Sequence, residues 1–276
     1  MTDIGSRAWR RWVGYAWLTA ATGATAVLIA SQPAVAATAP VGLGTAGSFA
    51  VLAGTTVTNT GPSRISGNLG VSPGTAVTGF PPGIVTGGTI HRADGVAGGA
   101  QSDLTIAYND AAGRSPTANI PAFIGAGQTL APGVYKASSS LEVGGSLTLD
   151  AHGDPDAVWI FQAPSSTLTT DSASSVILTN GAQACNVFWQ VGSSATLGTN
   201  STFAGTILAL TSISVQTGDT ITGRTLARNG AVTLDDDTIT APSCTTTPPP
   251  SPTPTATSPT PTATSPTPTA TSPTPT

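Results

Sequence analysis

The sequence predicts an all-β dominated chain, a solenoid of short stacked strands with one long helix beside it. Three observations lead there: an eighteen-residue internal repeat, many short apolar/polar alternations between turn residues, and a single stretch of helical spacing. The repeat is plainest where SATLGTNSTFAGTILA (194–209) is laid over SISVQTGDTITGRTLA (212–227). Thr202 then falls on Thr220, Gly205 on Gly223, Leu208 on Leu226 and Ala209 on Ala227, and a further eighteen residues from Thr220 and Thr222 reach Thr238 and Thr240. Coils of that length bury their apolar sides by stacking on one another. Gly-rich sandwich domains also make short strands, but they lack this register.

From the N-terminus, residues 1–36 read as an export signal. Arg7, Arg10 and Arg11 form a positive start, Trp12 to Ile29 is apolar, and Ala34-Val35-Ala36 offers small residues to a signal peptidase. Secretion with cleavage after Ala36 is the expectation; a retained membrane anchor is the alternative, because the apolar run is long for a signal. The mature chain would carry six basic and twelve acidic residues, a net charge of −6. Nucleic acid is therefore not an expected partner, since phosphate binding needs a positive patch. No later segment has the length and apolarity to span a bilayer, so no membrane contact is expected after cleavage. Charged residues are 8% of the chain against about 25% in ordinary soluble domains, which leaves Thr, Ser, Asn, Ala and Gly to cover the surface.

One Gly/Thr/Val-rich domain is expected over 37–244. Runs such as Ser146-Leu147-Thr148-Leu149, Ala157 to Phe161 and Ser175-Val176-Ile177-Leu178, broken by Gly, Pro, Asn and Asp, suit half-buried strands joined by tight turns. Asp94 to Ala112 differs. There Val96, Leu104, Ile106, Ala107 and Ala111 recur at helical spacing, Asp94 can cap the start and Gly113 the end, although Gly98 and Gly99 weaken the first half. In an exported chain, Cys185 and Cys244 are expected to form one disulfide tying the chain end to an inner strand, with free thiols the alternative. Residues 245–276 hold only Thr, Pro, Ser and Ala, with SPTPTAT repeating from Ser251. A disordered, extended tail open to O-glycosylation is expected there.

Alternation then sorts inward residues from outward ones. With Leu168, Leu197, Val215 and Leu234 inward, Thr167 and Thr169, Ser194 and Thr196, Ser212 and Ser214, and Thr233 face outward together. In the next strand of each coil Phe203, Ile221 and Ile239 point inward. Thr202, Thr220 and Thr238, joined by Thr222 and Thr240, form a second outward ladder, with Arg224 expected to project from that same face. On a third face Val158 to Phe161 and Val187-Phe188-Trp189 carry bulky groups on both sides, and the helix is the expected cover.

Several ordered motifs resemble one family. They are Thr75 to Gly83 (TAVTGFPPG), Asp103 to Arg114 (DLTIAYNDAAGR), Pro132 to Tyr135 (PGVY), Ala157 to Gln162, Phe188 to Val191 (FWQV) and Gly223 to Ala227 (GRTLA). Together, from about Leu43 to Thr240, they are similar to the microbial ice-binding protein family. The resemblance implies a discontinuous right-handed β-solenoid of triangular cross-section with the long helix packed alongside. It also implies an ice crystal surface as the partner and no cofactor. The adsorbing face it implies holds Thr56 and Thr58, Thr167 and Thr169, Ser194 and Thr196, Ser212 and Ser214, and Thr233, with Glu142 near its edge; the second ladder is the rival. An insertion that forms a cap in some relatives is short here, with Thr86 to Arg92 leading almost directly to the helix.

Other readings stay in view. Threonine on exposed strands commonly reflects β propensity alone. An enzyme on a solenoid needs clustered carboxylates or a basic group in a groove, whereas Lys136 is the only lysine, Glu142 the only glutamate, and His91 and His152 are far apart. Asp150, His152, Asp154 and Asp156, or Asp235-Asp236-Asp237, suggest metal loops, but Asp near Gly and Pro is usually turn chemistry, and no metal is expected. A cell-surface or adhesion module is a further alternative, with the tail giving association with the envelope.

Overall fold

The computed structural model describes residues 38–245. The expected signal peptide (1–36) and all but the first residue of the expected tail lie outside the described residues. Because each strand meets its equivalent one coil away, the pairings are parallel. One coil shows the plan. Ala195–Leu197 lies on a first face, and the long strand Thr202–Ala209 then bends so that its start lies on a second face and its end on a third. Ile213–Val215 and Thr220–Ala227 repeat the path. Thr202 pairs with Thr220, Gly205 with Gly223 and Leu208 with Leu226, so the eighteen-residue sequence offset is one turn of the solenoid. The bend requires glycine: Gly205 has φ +112°, and a methyl group on Gly223 would stand 1.9 Å from the Gly205 carbonyl oxygen.

The coils do not follow chain order. Residues from Phe49 to Arg92 build one end, the helix follows, and the chain re-enters at the opposite end with Ala118–Ile120. It then coils back until its last strands meet its first. Val232–Asp235 pairs with Thr56–Thr60, Thr238–Thr240 with Arg64–Ser66, and Thr220–Ala227 with Phe49–Ala53. The solenoid is therefore discontinuous, and its middle joins segments about 175 residues apart in the chain.

Inside, Tyr135, Phe161 and Trp189 hold equivalent positions of successive coils and stack their rings, and Phe203 closes the stack from before the bend of the next coil. Tyr135 lies 5.5 Å from Phe161, Phe161 4.1 Å from Trp189, and Trp189 5.1 Å from Phe203. Indole N–H groups that would otherwise be stranded donate to the carbonyls of Leu130 (Trp159) and Ala204 (Trp189). On the third face alternate residues turn outward, and Val158, Ile160, Phe188, Leu208 and Leu226 pack under the helix.

That helix spans Gly95–Gly113, and the Asp94 carboxylate accepts the Ala97 N–H as its N-cap. Its buried stripe is Ala97, Ala100, Leu104, Ala107, Tyr108 and Ala111, and the four alanines allow close approach to the sheet. Val96 and Ile106, which the sequence spacing placed in the apolar set, are 51% and 66% exposed. The alanines supply the contact in their place. Asp103 anchors the helix to the 3-10 segment Gly44–Ser48 by accepting from the Thr45 N–H and hydroxyl. Cys185 and Cys244 form the disulfide, with Cα atoms 5.6 Å apart.

Candidate functional site

The first face is a separate eight-stranded sheet. From one end it runs Ala76–Thr78, Thr56–Thr60, Val232–Asp235, Ile213–Val215, Ala195–Leu197, Leu168–Thr170, Leu141–Gly144 and Phe123–Gly125. Alternation over these strands buries Val57, Val232, Ile213, Ala195 and Leu168 and turns their neighbours out. The register then aligns one rank across the sheet. Thr78 lies beside Thr58, Thr58 beside Thr233, Thr233 beside Ser214, Ser214 beside Thr196, and Thr196 beside Thr169. Six consecutive strands thus present a hydroxyl-bearing side chain at the same height. Two residues earlier runs a parallel rank of Thr167, Ser194, Ser212, Ala231, Thr56 and Ala76, fixed by ladder bonds such as Ala195 N–H to Ser212 O and Ile213 N–H to Ala231 O. The Ser194 and Ser212 hydroxyls accept from the N–H groups of Ser212 and Ala231, which holds them in place.

All nine residues expected on this face are therefore brought together. Thr78 and Ala76 extend it by a strand that the sequence reading left out, although Thr78 follows Thr58 by twenty residues, close to one coil. The other end is different. Beyond Thr169 the rank continues into Glu142 and then Phe123. Phe123 was also missed, its Pro-Ala-Phe-Ile-Gly run having no alternation long enough to show direction. Along one long margin the plane drops into a shallow trough of about 420 Å³ lined by Thr60, Gln216, Thr217 and Asp235.

On the second face the expected ladder also exists. Thr202, Thr220 and Thr238 are in register, as are Thr222 and Thr240. Each rank meets unlike groups at one end: the first runs five strands, from Ser146 through Ser175 to Thr238, and then meets Arg64 and Ile84, while the second continues from Thr240 into Ser66 and Thr86 and meets Ala204 on its other side. Arg224 does not take part. The sequence placed it outward on this face, but it follows the bend at Gly223 and is buried under the chain ends. Its Nε donates to the Gly47 carbonyl and an Nη to the Pro242 carbonyl, so its charge is spent clamping the first and last described segments.

The remaining polar groups serve the backbone. Asp150 accepts from the His152 N–H and the Asn180 amide, and Asp154 accepts from the Asp156 N–H. Asp219 and Asp237 occupy equivalent inner turns, where Asp219 accepts from the Ser201 N–H and Asp237 from the N–H groups of Asp219 and Asp235. Burial pushes the Asp219 carboxyl up to about 6 and the Asp237 carboxyl up to about 7, against the lowering effect of those donors. His91 pairs with Asp94 at 2.7 Å and with the Thr89 hydroxyl. Among the described residues no group of three His, Cys, Asp or Glu side chains is placed to hold a metal ion.

Comparison with known proteins bears on the whole solenoid. The family described as ice-binding-like matches residues 51–240. An ice-binding protein of Nostoc sp. is 56% identical over 198 residues, covering 71% of this chain and 72% of the relative. One from Colwellia sp. is 41% identical over 215 residues, covering 73% and 83%. Among solved structures, an ice-binding protein from an Antarctic biological consortium superposes with a TM-score of 0.71 at 51% identity, over 74% of this chain and 92% of the other. That of the Antarctic ascomycete Antarctomyces psychrotrophicus gives 0.70 at 45% identity, over 73% and 98%. With identity and fold both running the length of the coils, the chain belongs to the ice-binding-like family.

Proposed function

We propose that this chain is a secreted ice-binding protein that adsorbs to ice through its first face and so inhibits ice growth and recrystallisation. The observation that carries the reading is the unbroken rank from Thr169 to Thr78, in a chain whose relatives are named for binding ice. Stacked strands repeat at about 4.8 Å and outward residues along a strand at about 6.6 Å, which makes a two-dimensional grid commensurate with oxygen spacings in ice. Threonine suits such a grid. Its methyl orders adjacent water, its hydroxyl joins that layer, and branching restricts χ1 so that little entropy is lost on adsorption. The stacked aromatic core beneath keeps the grid stiff. No single residue is the site; adsorbed molecules pin the ice front, which grows curved between them, and the curvature lowers the local freezing temperature.

Display on a surface is a second reading, compatible with the first, and one observation favours it. The disulfide, the Thr245 N–H bond to Gln183 and the Arg224 bond to Pro242 hold the chain's exit beside the 3-10 segment Ala184–Asn186. That corner lies between the second and third faces, opposite the first. A tether leaving there, through the Pro/Thr-rich tail expected from sequence, keeps the first face clear for ice.

The test is direct. Protein labelled fluorescently at its C-terminus should coat a single ice crystal and remain bound when the liquid is exchanged. Exclusion of the label into the liquid as the crystal grows would refute ice binding.

A further inference from the structure

One end of the first face departs from the rest. In the central rank, Thr169 is followed by Glu142 and Glu142 by Phe123, the last two strands of the sheet. Both are exposed, Phe123 at 45%. Two residues along, on the same side of the sheet, stands Gly144. A methyl group there would lie 2.5 Å from the Phe123 ring and 2.5 Å from the Asp171 carboxylate oxygen, so both lean over the space that a side chain would fill. Within the central rank itself Glu142 brings a carboxylate and Phe123 an aromatic ring, while the rank from Thr169 to Thr78 carries no charge, its nearest carboxylates, Asp171 and Asp235, lying two residues further along at the margin.

The chemistry of Glu142 and Phe123 differs from that of the rank in two ways. A carboxylate is acceptor-only and holds water firmly through both oxygens, so a layer of four-coordinated water cannot be laid over it without first stripping that hydration. Glutamate also reaches further from the backbone than threonine, and the phenyl ring of Phe123, lying over Gly144, offers no hydroxyl to an ordered water layer. Resting on the face assignment above, we propose that Glu142 is a specificity-determining residue that ends the ice-adsorbing array, limiting it to six of eight strands with Phe123 as a second barrier. At about 4.8 Å per strand the array then measures about 24 Å across the coils. The outer two strands have the backbone register of an adsorbing surface and lack its side chains.

Converting the end should lengthen the array. Glu142→Thr should lower the concentration needed to stop ice recrystallisation by about two-fold, and Phe123→Thr/Glu142→Thr should lower it further, since each removes a desolvation cost and adds a matched position. Both positions are exposed, so the melting temperature reports separately that the fold is kept. Ser214→Glu, placing the same group mid-rank, should raise that concentration by about ten-fold. If Glu142→Thr and the double variant leave activity unchanged while Ser214→Glu impairs it, the boundary proposal fails and the face assignment stands. If Ser214→Glu is also without effect, the face assignment itself has failed.

Discussion

Two faces of the same solenoid carry stacked threonines, and counting hydroxyls does not separate them. The second face aligns Thr202, Thr220 and Thr238 as closely as the first aligns Thr196, Ser214 and Thr233. They differ in what lies beside the ladder. On the first face the rank runs six strands before a charge intervenes. On the second, Arg64 and the 43% exposed Ile84 stand in one rank and the 42% exposed Ile177 in the other, and the chain exit is stapled to the adjoining corner. The proposed assignment of adsorption to the first face therefore rests on the charged and apolar groups that interrupt the second rather than on the abundance of threonine.

The largest effect expected from this comparison follows a bulky group set in each face. Thr196→Tyr and Ser214→Tyr should each reduce recrystallisation inhibition by about ten-fold or more with melting temperature unchanged, because a ring holds the plane off the ice over several strands. Thr220→Tyr should keep activity within about two-fold. Equal losses on both faces would remove the distinction.

Next comes the support beneath the plane. Trp189→Ala removes the ring between Phe161 and Phe203 and should cost about 3–5 kcal/mol of stability by chemical denaturation. A loss below about 1 kcal/mol would mean that the stack is not what stiffens the grid. The disulfide closes a loop of 59 residues, and replacing both cysteines with serine should cost about 2–4 kcal/mol. Because that bond lies at the corner opposite the first face, ice activity near 0 °C should survive its removal.

The smallest expected effect is on pH. Asp219 and Asp237 have folded-state values raised to about 6 and about 7 by burial, whereas an unfolded aspartate titrates near 4. The folded state therefore binds more protons between about pH 4 and 7, and stability rises as pH falls through that window. Asp94, Asp103 and Asp150 act in the opposite sense. Their values are lowered, chiefly by hydrogen bonds from Ala97, Thr45 and His152 respectively, and their contribution is lost only as pH falls below about 4. Melting temperature should thus be higher at pH 5 than at pH 7.5 by roughly 2–5 °C, and Asp219→Asn should flatten the difference.

Much of this architecture was legible because a stacked coil writes its geometry into the sequence as a period. The offset from Thr202 to Thr220 is the structural register, and the alternation around Leu197 and Val215 names the outward residues. Legibility failed where the period breaks. Arg224 alternates as an outward residue, but the bend at Gly223 moves it to another face, and a corner carries no periodic signal. Thr58 meets Thr233 only because the chain leaves the solenoid at the helix and returns from the far end. No local spacing encodes that contact; the family resemblance supplied it. Thr78 and Phe123 lie on the terminal strands of the sheet, outside the eighteen-residue repeat that orients the equally short Ala195–Leu197 and Ile213–Val215.

The two ladders can be set against each other in one sample. Thr233→Tyr and Thr238→Tyr proteins, carrying different C-terminal fluorophores, are mixed in equal amounts and partitioned into a slowly growing ice front. The Thr238→Tyr protein should enter the ice and the Thr233→Tyr protein should stay in the liquid. Enrichment of the Thr233→Tyr protein in the ice would contradict adsorption through the first face.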